Sequence, residues 1–392
     1  MKRETLLEVT ELKFIHTADW HLGKLVHGVY MTEEQREVLQ QFVRLVEEET
    51  PDAVVIAGDL YDRSVPPTGA VELLNEMLFA INVELKTPIV AISGNHDSAE
   101  RLSFGSSWFR HSQFYLKGKV DDQFSPVRIN GVNFYCIPYA EPGTIRQLFG
   151  DNSIHTHQGA MKRLIGKLEE EMDCREPNIF VGHAFVLGGK TTDSERTLSV
   201  GGSGCVDAGL FAPFNYAALG HLHSPDAIKH EKVRYSGSLL KYSFSEANQR
   251  KSVSIVTVDE KGAVSIEERT LRPKRDMRVL EGTLEELLDP ARIQAEATED
   301  YLKITLLDRG AIIDPMGKLR QAYPNVLHLE RKIDMIDQRQ KESYGMKREE
   351  KKDDIDLFAD FYSEMTTDDF TPEKRKLMER VIQEAQLEAN QK

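Results

Sequence analysis

Residues 53–62 read AVVIAGDLYD, an uninterrupted apolar run from Ala53 to Ala57 that ends on Gly58 and the carboxylates of Asp59 and Asp62. A short apolar run closed by turn-forming residues fits a strand buried on both faces. The same grammar recurs on either side of it. Leu12, Phe14 and Ile15 lead into DWH at Asp19 to His21, and Ile89 to Ile92 runs into GNHD at Gly94 to Asp97. Farther along stand Gly182-His183 and GHLH at Gly220 to His223, again after apolar stretches. Between the first two strands, Thr32 with Gln35 resembles a capping box, and Val38, Phe42, Leu45 and Val46 mark a helical face. After Thr68, Val71, Leu74, Leu78 and Ile81 repeat that spacing. Strand, helix, strand, helix, strand predicts an α/β fold with right-handed crossovers, helices over the sheet, and polar residues collected beyond the carboxyl ends of the strands.

Those polar residues are carboxylates, a carboxamide and imidazoles, without thiolate. Such a set suits Mn²⁺, Fe²⁺ or Zn²⁺ and disfavours a structural zinc site. Asp59, directly after Gly58, is placed to bridge two ions. Gly58, Gly94, Gly182 and Gly220 are expected to supply positive φ or close backbone approach. Taken singly, Asp-x-His and His-x-His are common by chance, whereas GNHD sets polar groups where burial without partners is costly. In this order and strand context the set implies a two-metal phosphoesterase. Two divalent ions against the carboxylates of Asp19 and Asp59 leave a net positive site for a phosphodiester and lower the pKa of water toward neutrality.

Composition narrows the setting. A chain of 392 residues allows two or more domains. It has no apolar stretch of membrane-spanning length, and MKRETLLEVTE lacks the apolar core of a secretory signal. Cys136, Cys174 and Cys205 are few, odd in number and widely spaced, which fits reduced thiols and a cytoplasmic location. The net charge of −14 runs against duplex binding, which normally rests on Lys and Arg. Much of the acid lies in the C-terminal third, while Arg101, Arg110, Lys117, Lys119, Lys229, Lys232, Arg234, Lys241, Arg250 and Lys251 make basic segments nearer the expected site.

The run HTADWHLGK at His16 to Lys24, the motifs above and YSGSLLKYSFSE at Tyr235 to Glu246 resemble the SbcD family, the nuclease subunits of bacterial SbcCD complexes within the calcineurin-like metallophosphoesterase superfamily. The resemblance spans essentially the whole chain and is strongest from Lys13 to about Leu271; residues 1–11 stand outside it as an extension. It implies a calcineurin-like core of β-sheets flanked by helices, with two divalent ions, Mn²⁺ foremost. One ion would be held by Asp19, His21, Asp59 and His223, the other by Asp59, Asn95, His183 and His221. His96 would protonate the leaving oxygen or stabilise charge, with Asp62 orienting it. Arg63, Arg101 and Tyr242 are candidate substrate contacts. The implied activity is exonucleolytic on duplex DNA and endonucleolytic on single strands or hairpins, in repair, recombination and replication, as a homodimer within a heterotetramer with the ATPase SbcC.

The expected domains are a nuclease domain over 12–271, a capping domain over 272–338, a charged linker over 339–354 and a helical segment over 355–392. RPKRDMR at 272–278 marks the first boundary. After it, 301–307 reads as a strand, 315–323 as a helix and 326–329 as a strand, a small α+β unit. In the tail, Leu357, Phe358, Phe361, Tyr362 and Met365, then Leu377, Val381, Ile382 and Leu387, form apolar stripes of a helical hairpin that must dock on something. The resemblance makes SbcC its partner. A protein or small-molecule phosphatase on the same metal core is the alternative, since GDLYDRS echoes a serine/threonine phosphatase motif. Ser64 in place of glycine and GNHD in place of GNHE count against it.

Overall fold

The computed structural model describes residues 11–195, 204–308, 311–332, 353–366 and 369–389. Of the expected segments, the extension 1–11 and the linker 339–354 fall almost wholly outside those residues. The chain divides into two compact units, Met1–Met277 and Arg278–Lys392.

In the first unit, one six-stranded sheet runs in the order Val264–Thr270, Ser252–Val258, Leu12–Thr17, Ala53–Ala57, Ile89–Ile92, Phe114–Lys117. Strands from Leu12–Thr17 to Phe114–Lys117 pair in parallel, and the two from the end of the unit add antiparallel. A five-stranded sheet follows the order Val233–Tyr235, Tyr216–Gly220, Asn178–His183, Val132–Ile137, Val127–Ile129. All its pairings are parallel except the last hairpin.

The run Ala53–Ala57 is buried at every position because both of its faces are covered. Val55 and Ala57 face the second sheet in a shared core with Phe14, Val90, Phe134, Val181 and Tyr216. Phe14 meets the rings of Phe134 and Tyr216 edge-on at 5.4 and 5.9 Å. His16 clasps the same seam: its Nδ1 lies 3.0 Å from the Tyr216 hydroxyl and its Nε2 3.2 Å from the Leu219 carbonyl. Burial pushes that imidazole down to about 3, so it stays neutral. Helix His157–Glu169 lays Leu164, Ile165 and Leu168 into a second core with Phe180 and Leu219. The expectation of helices over the sheet therefore holds for the outer faces, and the inner faces cover each other.

Two local expectations change. Helix Thr32–Glu49 buries Val38, Leu39, Phe42 and Val46, but Met31, not Thr32, stands at its cap and has no side-chain oxygen to offer, while Gln35 is drawn inward to the polar rim. In helix Thr68–Phe79 the buried face is Ala70, Leu73, Leu74 and Met77; Val71 is exposed.

The second unit carries a three-stranded sheet in the order Met277–Gly282, Tyr301–Leu306, Val326–Arg331 and a helix Pro315–Ala322. Leu280, Leu302, Ile304, Leu319, Tyr323 and Val326 form its core. Helices Asp354–Met365 and Pro372–Ala389 follow, joined by Phe370 against Phe358 and Tyr362 and by an Arg375–Asp356 pair at 2.6 Å. Leu357, Phe361, Leu377 and Val381 remain exposed on them.

Candidate metal centre

Strand ends of both sheets meet at one rim of the first unit. The six-stranded sheet brings Asp19, His21, Asp59 and Asn95; the five-stranded sheet brings His183, His221 and His223. All but the half-buried Asn95 are buried. Asp19, His21 and Asp59 occupy left-handed backbone at φ 53°, 47° and 52°, and His221 lies at φ 110°. Such conformations cost on the order of 1–3 kcal/mol each and persist where the surroundings impose them. Here the loops are laced together: the N–H groups of Asp19, His21 and Leu22 donate to the carbonyls of Gly58, Asp59 and Leu60 at 3.1, 2.9 and 2.9 Å. The N–H of His221 donates to the Asp19 carboxylate at 3.0 and 3.1 Å. Glycine is required where these turns touch: a Cβ on Gly58, at φ 93°, would strike His183 Nδ1, and one on Gly94 would strike Asp59.

The ring nitrogens show what the rim is built to hold. His183 Nδ1 donates to the Ala57 carbonyl at 2.9 Å, so in the neutral ring the Nε2 lone pair faces Asn95 Oδ1 at 2.9 Å and Asp59 Oδ2 at 3.4 Å. His221 Nδ1 approaches the same Asn95 oxygen at 3.2 Å. His21 Nε2 and His223 Nε2 face each other at 3.0 Å, while His21 Nδ1 is buried with no hydrogen-bond partner among the described residues. Converging acceptors of this kind are costly in a low dielectric unless protons or cations stand between them. Ligand atoms of Asp19, His21 and His223, of Asp19, Asp59 and His183, and of His21, Asp59 and His96 each cluster within 4.8 Å. The donor set and its crowding fit divalent cations.

The same crowding shifts the ionisable groups of the rim in opposite directions. Burial pushes the Asp19 carboxyl up to about 7, against the pull of His183 and His223. Burial acts likewise on Asp59, but His183 and His21 outweigh it and hold that carboxyl well below its usual range. Burial lowers His183 too, yet Asp59 carries it up to about 9. At His21 and His221 burial prevails and keeps the rings neutral, the form in which an imidazole can ligate a cation. His96 stands beside them: its main-chain N–H donates to Asp59 Oδ1 at 2.8 Å, and its Nδ1 donates to the Asp62 main-chain carbonyl at 2.8 Å. Nε2 is then the nitrogen able to exchange a proton.

The sequence matches the calcineurin-like phosphoesterase family over residues 12–225 and the type 5 capsule protein repressor C-terminal domain family, SbcD_C, over residues 273–366. It is 39% identical over 355 residues to the SbcD subunit of the nuclease SbcCD from Staphylococcus epidermidis, covering 91% of this chain and 94% of that one. The chain belongs to the SbcD family. The SbcD-family core is thus a metallophosphoesterase, a hydrolase, carrying a cluster of candidate metal ligands. Solved structures similar to this SbcD-family chain include TT1561 of Thermus thermophilus, at 14% identity and TM-score 0.40 over 67% of this chain and all of that one. A dimetal phosphatase from Danio rerio gives 12% identity and TM-score 0.34 over 67% of this chain and 99% of its own.

Other expected site residues of this SbcD-family chain are placed differently. The Asp62 carboxylate turns to Lys24 Nζ at 2.8 Å, and the contact to His96 is made by its main-chain oxygen. Tyr242 is buried; its hydroxyl donates to the Trp20 carbonyl at 2.5 Å and accepts from Gln35 Nε2 at 3.0 Å, which removes it as a substrate contact. Its ring walls His21 and His223 at 5.7 and 6.0 Å instead. Arg63 is exposed beside Asp62 at 3.7 Å, and Arg101 is exposed without an ion pair among the described residues. Of the basic segments, Lys117, Lys119, Arg234, Lys241 and Lys251 are engaged by Asp121, Glu100, Glu268, Asp276 and Glu246. Asp97 went unassigned in the sequence although GNHD contains it. Its carboxylate accepts from the N–H groups of Leu60, Tyr61 and Gly94 at 3.1, 2.9 and 2.9 Å and ties the Asp59 loop to the Asn95 loop. Asp97→Ala leaves three donors unmet and is expected to lower stability by about 2–3 kcal/mol, measured as a drop in the urea midpoint.

Proposed function

We propose that this chain is a two-metal DNA nuclease subunit, with Asp19, His21, Asp59 and His223 holding one cation and Asp59, Asn95, His183 and His221 the other. The observation that carries this reading is the convergence of those residues from two facing sheets onto one rim, with acceptor atoms crowded against one another. Bound there, divalent cations, Mn²⁺ foremost, supply Lewis acidity toward a phosphodiester and lower the pKa of water. Asp59 touches both halves of the ligand set and keeps them in register. His96, its Nδ1 committed to the Asp62 carbonyl, presents Nε2 to give a proton to the leaving ribose oxygen or to steady phosphate charge. Arg63, exposed in the loop after Asp59, and Arg101, exposed on the short helix Ala99–Leu102 after Asn95, contact the backbone of the DNA.

The relative's name supports SbcC as the partner; an ATPase role for SbcC, a homodimer within a heterotetramer and a cytoplasmic location follow the family resemblance. No helix among the described residues is long and apolar enough to cross a membrane. The exposed apolar residues of helices Asp354–Met365 and Pro372–Ala389 support docking of that hairpin on SbcC, and the three-stranded unit before it serves as the capping domain.

The test is hydrolysis by the purified chain with Mn²⁺ of an end-labelled DNA hairpin or duplex and, separately, a phosphopeptide. DNA cleavage is expected; phosphopeptide turnover with intact DNA would put the phosphatase reading in its place. A chain ending at residue 353 is expected to keep metal-dependent hydrolysis of small phosphodiesters and to lose co-purification with the ATPase. Retained co-purification would remove the hairpin from that role.

A further inference from the structure

On its Nδ1 side His223 meets a second set of buried polar groups. Ser194 Oγ lies 2.7 Å from His223 Nδ1 and also bonds the carboxylate of Glu246, which is 0% exposed. The hydroxyls of Thr192 and Ser243 stand against the same pair, 3.1 Å from Ser194 Oγ and 3.1 Å from Glu246 Oε1. Lys251, 4% exposed, donates from Nζ to Glu246 Oε2 at 2.6 Å, to Gln249 Oε1 at 2.8 Å, to Ser238 Oγ at 3.0 Å and to the main-chain carbonyl of His223 at 2.8 Å. Glu195 accepts the His223 N–H at 2.7 Å.

A buried lysine–carboxylate pair is weak evidence of stabilisation, because desolvation offsets the attraction, so this one calls for another use. The direction of its hydrogen bonds supplies it. Glu246, paired with an ammonium, only accepts; the Ser194 hydroxyl therefore donates to Glu246, and its oxygen is left to accept from His223. A bare lone pair on Nδ1 would moreover face Glu246 Oε1 at 3.6 Å. We propose that Ser194, Glu246 and Lys251 are positioning residues that fix His223 as its Nδ1–H tautomer and aim its Nε2 lone pair at the cation it shares with His21. This is carboxylate–imidazole support for a metal ligand, with a hydroxyl inserted as the relay. The inference rests on the two-metal reading of the rim.

The test uses the full chain as wild type, Ser194→Ala, Ser194→Thr and Glu246→Gln. In Mn²⁺ titrations, Ser194→Ala and Glu246→Gln are expected to weaken one of two sites per chain by about 10- to 100-fold, and Ser194→Thr, which keeps the hydroxyl, to bind as wild type. Imidazole ¹⁵N shifts of the metal-free chain, with His223 assigned through His223→Gln, are expected to show a single Nδ1–H tautomer in wild type and Ser194→Thr, and a mixture in Ser194→Ala. An unchanged tautomer in Ser194→Ala overturns the relay, whatever happens to metal affinity. Wild-type binding of fewer than two Mn²⁺ overturns the two-metal reading instead, and the metal-free spectra still decide the relay.

Discussion

An Asp59→Asn variant is expected to lose hydrolysis by on the order of 10³-fold or more and to bind Mn²⁺ poorly at both sites. Asp59 lies between two imidazoles, with Oδ2 at 3.6 Å from His21 and 3.4 Å from His183, and its Oδ1 accepts the main-chain N–H of His96. Replacing one oxygen by an amide removes the charge that holds the site together and puts N–H groups where a cation would need an oxygen lone pair. The backbone at φ 52° tolerates Asn as readily as Asp, so the fold survives and the loss belongs to the site. Metal content by mass spectrometry beside turnover is the check. A variant that keeps both ions yet fails to turn over would move Asp59 from ligand to another role.

His96→Ala is expected to separate the two quantities: two ions per chain retained, turnover down by about 10²–10⁴-fold. The contact that anchors Asp59 here is the main-chain N–H of residue 96, which survives the substitution. The side chain's own bond goes to the Asp62 carbonyl, and its loss costs about 1 kcal/mol. His96 also stands within ligand distance of His21 and Asp59, so the prediction has a sharp opposite. Equal loss of metal in His96→Ala and Asp59→Asn would make His96 a ligand.

Much of the first sheet was legible because its strands are central and buried on both faces. The runs before Asp59 and Asn95 are apolar at every position, the one before Asp19 keeps Leu12, Phe14 and Ile15, and each leads into glycine or a metal-type residue. The second sheet was not read beyond Gly182-His183 and GHLH. Val132–Ile137 and Tyr216–Gly220 include Asn133 and small residues such as Ala217 and Gly220, which carry little strand signal alone. Their burial comes from facing strands far away in sequence. The candidate ligands were legible as residue types, whereas their supports were not. Gln35 looked like half of a capping box and instead binds the Trp20 and His21 carbonyls; Tyr242 looked like a substrate contact and is a wall. In both cases a polar group near a helix start or on a loop had two uses, and only the fold chose between them. Lys251 stood only as one of the basic residues near the expected site and Glu246 only as the end of a motif, yet both are buried, as a pair, among the described residues.

The division of the rim between two sheets also orders events during synthesis of the protein. Asp19 emerges from the ribosome early, whereas His221 and His223 come near the end of the first unit, and the strand Leu12–Thr17 must wait for Ser252–Val258 to gain its antiparallel neighbour. No growing fragment that stops short of His223 holds a complete set of candidate ligands. On the proposed two-metal reading, a nascent or truncated chain of this kind is expected to hydrolyse no phosphodiester, with activity beginning only once the chain has been made beyond His223.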